Sequence, residues 1–149
     1  MKDLVPDFQL GDTLTGTNDA GVLLNSALEG RVYEFPVTEE VANVLGLSKR
    51  AIGKRIHAAI LRNTSGAALL PEETCVVDVT SGAGGIGSAT GKAGASARYA
   101  YVVDPAIGAA GVADDDLFYG IVKGPTKVKT ASATFSGGEL LKTDRKSVV

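Results

Sequence analysis

The chain has one thiol and one imidazole, Cys75 and His57. A thiol nucleophile would need the two side by side, with the imidazole drawing the proton from sulfur. Cys75 opens the apolar run Cys75-Val76-Val77-Asp78-Val79, where a cysteine acts as a small buried hydrophobe rather than a thiolate. The expectation is an inert core thiol. One cysteine cannot form an intrachain disulfide, and with one histidine it falls short of a Cys/His zinc set. Asp114-Asp115-Asp116 offers oxygens to calcium, but calcium loops space their oxygens at alternate positions and add a distal glutamate. A solvated acidic turn is expected there. No Ser/His/Asp grouping can be assembled around His57, so the sequence names no catalytic residue, metal ligand or cofactor.

Two motifs point to ligands. Gly82-Ala83-Gly84-Gly85-Ile86-Gly87 matches the G-x-G-x-x-G turn that brings a pyrophosphate to a helix N-terminus. It resembles the glycine-rich turn of short-chain dehydrogenases, with Ser81 where that family has glycine. A dinucleotide-binding, oxidoreductase-like domain is therefore one alternative. Gly91 and Gly94 interrupt the helix that should follow, repeated strand-helix units are missing, and there is no Tyr-x-x-x-Lys pair. A flexible Gly/Ala/Ser loop over residues 81–97 is the preferred expectation.

Residues 38–56 give the other alternative, a helix-turn-helix DNA-binding unit. Val41, Leu45, Leu47 and Ile52 would form its core, Gly46 its turn, and Lys49, Arg50, Lys54 and Arg55 its phosphate contacts. Gly53 inside the recognition helix costs about 1 kcal/mol relative to alanine. With 15 basic and 17 acidic residues, a net charge of -2, the chain has no bulk field to hold a polyanion. No direct nucleic-acid contact is expected.

The elements around these residues follow from composition and period. A chain of 149 residues that is 44% hydrophobic suits one domain with one core. Glycine supplies 19 residues and aromatics only 5% of the chain, a turn-rich composition against an average of roughly 7% glycine. No apolar run approaches the roughly 18 residues of a spanning helix, and the N-terminus lacks an export-type apolar core. The expectation is a chain that neither enters a membrane nor is exported.

Arg31-Val32-Tyr33-Glu34-Phe35 alternates with the period of a half-buried strand, which Pro36 ends. Thr38 offers an N-cap oxygen, Glu39 and Glu40 suit the first helical turn, and Gly46 stops a short helix at Leu45. From Ile52 to Leu61 the pattern fits a helix through Ile56, Ala59 and Ile60, or a strand ending at Ile60-Leu61. Further strands are expected from Thr74 to Val79, Arg98 to Val103 and Leu117 to Val122, then at Val128-Lys129-Thr130-Ala131-Ser132 and Glu139-Leu140-Leu141. Short strands set off by Gly/Pro turns predict a mainly β fold, an antiparallel sandwich or barrel with one short helix.

The first thirty residues have little periodicity. They nevertheless carry Val5, Phe8, Leu10, Leu14, Val22, Leu23, Leu24 and Leu28, too many hydrophobes for a solvated tail. Residues 1–30 are expected to be an extended arm that orders on another surface, with residues 31–149 as the β-rich domain. Asn63 and Gly66 mark one structural turn, Gly124 and Pro125 another.

Two segments resemble small structural proteins of tailed bacteriophages. In Gly111-Val112-Ala113-Asp114-Asp115-Asp116-Leu117-Phe118-Tyr119 a G-V-x-x-D-D-L-F-aromatic strand is visible, continuing through Gly124-Pro125 to Val128-Lys129-Thr130. Upstream, Arg62-Asn63-Thr64-Ser65-Gly66 and Leu69-Leu70-Pro71 look like the R-N-x-S-G turn and L-L-P element of the same family, and Gly138-Glu139-Leu140-Leu141 like its final strand. The resemblance implies a head decoration, or cement, protein on the virion exterior: a β-rich, commonly trimeric unit that binds the lattice of major capsid protein and does no chemistry. The arm hydrophobes would then be its capsid or subunit contacts.

Overall fold

The computed structural model describes residues 8–78, 88–92 and 100–129. Six strands form one sheet: β1 (Val32–Pro36), β2 (Arg55–Arg62), β3 (Thr74–Asp78), β4 (Ser88–Lys92), β5 (Ala100–Val103) and β6 (Leu117–Lys123). Their order is β1-β2-β6-β5-β3-β4, and every neighbouring pair is antiparallel. The fold is mainly β with one short α-helix, α1 (Glu39–Leu45), as the sequence predicts. Among the described residues no strand pairing closes this sheet into a barrel; α1 and loops cover its faces.

Alternation along β2 and β6 divides two cores. Ile56, Ala58, Ile60, Leu117, Tyr119 and Ile121 face α1, meeting Ala42 and Leu45. Ala59, Leu61 and Phe118 face the other way with Val103 and Cys75, beneath Leu69, Ile107 and Val112. A strand buried on both faces loses its polar alternation, which is why residues 52–61 fit a helix as well as a strand. The helical option is overturned: Ile56, Ala59 and Ile60 belong to β2, and β2 continues to Arg62.

α1 forms where its caps predict. The Thr38 hydroxyl accepts from the Val41 amide at 3.2 Å, and Gly46 closes the helix at φ +68°. The helix-turn-helix alternative is corrected. After α1 come only the 3-10 turn Lys49–Ala51 and Gly53 at φ +90°, and Arg55 and Ile56 are already in a strand. The dinucleotide alternative also loses its frame. The residues after Gly87 form β4, an edge strand antiparallel to β3, where a crossover helix and parallel sheet are required. The predicted loop over 81–97 is likewise corrected at Ser88–Lys92. Gly82 to Gly87 themselves lie outside the described residues, as do Thr130 to Ser132 and Glu139 to Leu141 of the later expected strands, while Val128 and Lys129 are described and are not in a strand.

Candidate functional site

Arg62 ends β2 with its side chain only 1% exposed. A buried guanidinium is tolerated only when its charge and donors are met. Its Nε donates to Glu29 Oε1 at 3.0 Å, Nη1 to the carbonyls of Gly16 at 2.7 Å and Asp115 at 2.9 Å, and Nη2 to the Leu24 carbonyl at 2.6 Å. The planar fork thereby ties the 16–29 segment to the end of the sheet. Asp116 adds a carboxylate oxygen that accepts from the Gly16 amide at 3.1 Å. Position 16 needs glycine, since a Cβ there would run into the Asp115 carbonyl and the Arg62 guanidinium.

The segment before residue 30 is extended, but it lies on its own sheet instead of reaching away. Phe8 is buried, its ring stacked on Tyr119 at 4.4 Å and its carbonyl accepting from the Tyr119 hydroxyl at 2.7 Å. Burial pushes that phenol's pKa up. Leu14 exchanges backbone hydrogen bonds with Leu117 at 2.9 Å, and Leu10, Leu14 and Leu28 pack against the α1-side core. The Gly11 amide donates to the carboxylate of Asp104, which also accepts from Ala106. The predicted arm is corrected on this point: the surface on which these residues order is the chain's own β6. Only Val22, Leu23 and Leu24, 56%, 44% and 36% exposed, point outward on a small hairpin closed by the Thr17–Leu23 bridge. Val5 lies outside the described residues.

Asn63 follows Arg62 and is fully buried. Its side-chain amide donates to the carbonyls of Ala67 at 2.8 Å, Val112 at 3.0 Å and Ala113 at 3.2 Å, while its oxygen accepts from the Ser65 amide and hydroxyl. Gly66, at φ +81°, donates to Asp114 at 2.9 Å. Leu69 and Val112 exchange backbone bonds of 3.0 and 2.7 Å. The 63–69 turn and the 112–116 loop are thus one interlocked unit. At the other end of the sheet Gly124 sits at φ +111°, where a Cβ would meet the Arg55 carbonyl, and Pro125 follows it.

The nucleophile candidates stay apart. Cys75 lies on β3 and His57 on β2, with β5 and β6 between them. Burial pushes the thiol up to about 12, and its sulfur donates to the Tyr101 carbonyl. His57 Nε2 instead lies 3.4 Å from Glu34, which also pairs with Arg55 at 2.8 Å. Among the described residues no three His, Cys, Asp or Glu side chains are grouped to hold a metal ion. No helix there is long and apolar enough to cross a membrane.

Comparison with protein-family models, curated proteins and solved structures finds no match to the chain. The residues that sequence reasoning missed are Arg62, Asp104 and Tyr119. The available signal was Arg62 itself, a cation closing the apolar run Ala58-Ala59-Ile60-Leu61, which announces a buried partner.

Proposed function

We propose that this chain is a non-enzymatic virion structural protein that decorates the capsid exterior and stabilises it by binding the lattice of major capsid protein. What supports this reading is that the two segments resembling small phage structural proteins meet in space: Asn63 and Leu69 from one are bonded to Val112 from the other. The buried polar groups there hold loops in place, which suits a protein whose work is to present a fixed surface. Val22, Leu23 and Leu24 are the arm residues available for shell or subunit contact.

A shell loaded with DNA fails at its weakest subunit contacts, and an added subunit burying about 1,600 Å² per standard interface strengthens them. Self-association, as a homotrimer, would multiply that gain over the lattice. The reading needs no cofactor, membrane or direct nucleic-acid contact. The test is co-sedimentation of the purified protein with undecorated particles of the virus that encodes it. Saturable binding and a higher particle rupture temperature are expected; no binding at any concentration would overturn the reading.

A further inference from the structure

Among the described residues the two ends of the sheet carry opposite net charge. At the end where His57 of β2 meets Lys123 of β6, the chain also places Lys127 against Gly46, and Lys49, Arg50 and Lys54 lie on the connection into β2. Arg55 and Glu34 neutralise one another there, and Glu39, Glu40 and Asp78 at the end of β3 offset only part of the five remaining cations. At the opposite end, where Arg62 meets Leu117, stand Asp114, Asp115 and Asp116, with Asp12 and Asp19 on the segment pinned to it. Glu29 is matched by Arg62, and Arg31, beside Ile60, offsets part of the remaining acidic charge. Five β2 steps separate the ends, about 17 Å, so one molecule cannot bring its own two ends together.

Each end also exposes apolar side chains beside its charge. The acidic end has Val22, Leu23 and Leu24, and the basic end has Ile52 at 41% and Val44 at 63% exposure. We infer that the acidic end, with the 17–24 hairpin, docks onto the basic end around Lys49–Ala51 of a second copy of this chain, head to tail. Both halves of the complementary pair are on every copy, and this singles out self-association over a foreign acidic or basic partner. Such an interface is heterologous, so it propagates until the rotation between copies closes a ring. Opposite potentials speed encounter and fix register, while the apolar residues hold the contact.

The inference rests on the self-association in the shell reading and adds the faces that meet; it is tested on the protein alone in solution, so its failure leaves binding to the shell untouched. The test is sedimentation velocity of three proteins: the wild type, a variant with the basic end reversed (Lys49→Glu, Arg50→Glu, Lys54→Glu) and one with the acidic end reversed (Asp19→Lys, Asp114→Lys). Thermal unfolding confirms that each is folded. The wild type is expected at a multiple of 15.2 kDa, with association weakened about tenfold or more in either variant and by raised salt. An equal mixture of the two variants restores the complementary ends and should regain association. A monomeric wild type, an unchanged mass in the variants, or a mixture that stays monomeric would overturn the inference.

Discussion

The side-chain amide of Asn63 donates to the carbonyl oxygen of Val112 at 3.0 Å, joining residues 49 positions apart. That bond, with those to Ala67 and Ala113, ties the turn after β2 to the loop before β6 and so fixes the end of the sheet where the N-terminal segment lands.

Replacing Asn63 by alanine removes its three donated bonds, of which the one to the Val112 carbonyl is buried. A cost of about 1–3 kcal/mol is expected, read as a lower urea midpoint with an unchanged slope. Asn63→Asp should be at least as damaging, because a carboxylate would face those same oxygens. A midpoint unchanged in both variants would contradict the role given to this residue.

Arg62→Met removes the charge that Glu29 and three carbonyls depend on. Breaking a buried pair from one side costs about 3–5 kcal/mol. The loss should be largest around the 16–29 segment, seen as faster amide exchange and proteolysis there than in β6. Equal protection in wild type and variant would show that the segment is held by something other than this guanidinium.

The carboxyl of Asp104 is raised above its ordinary 3.8, first by burial and then by the charge of Asp12, against the lowering effect of the Gly11 and Ala106 amides. The native state therefore holds this proton more tightly than the unfolded chain. Between the ordinary and the raised value, stability from this group grows as pH falls, and the gain is complete once both states are protonated. Relative to Asp104→Asn, the wild type should gain stability as pH falls from neutral toward the ordinary 3.8 of an aspartate. Paired unfolding curves measure it, and a flat or reversed difference would contradict the assignment.

Cys75, with its thiol pushed up to about 12 by burial, should resist a soluble disulfide reagent in the native protein at pH 8 and react promptly in denaturant. Rapid native labelling would show that β3 opens.

Much of the sheet was legible because its signals are local. The alternation in Arg31-Val32-Tyr33-Glu34-Phe35 became β1, Thr38 and Gly46 bounded α1, and Leu117 to Val122 lies within β6. β2 was ambiguous because burial on both faces removed its period. The N-terminal segment misled for a different reason. It has no repeat of its own, and its anchors, Arg62, Asp104, Asp116 and Tyr119, lie far along the chain, so its hydrophobes look unpartnered until the sheet is built. The two resemblance segments were legible as sequence, whereas the Asn63 bonds that join them became visible only in three dimensions.

The proposal that this chain is a capsid decoration protein is most directly tested by its copy number in purified virions, measured by quantitative mass spectrometry against the major capsid protein. The account predicts many copies per particle, in a fixed ratio to the major capsid protein, released together by mild denaturant before the shell opens. Absence from the particle, or a few copies unrelated to the lattice, would contradict it.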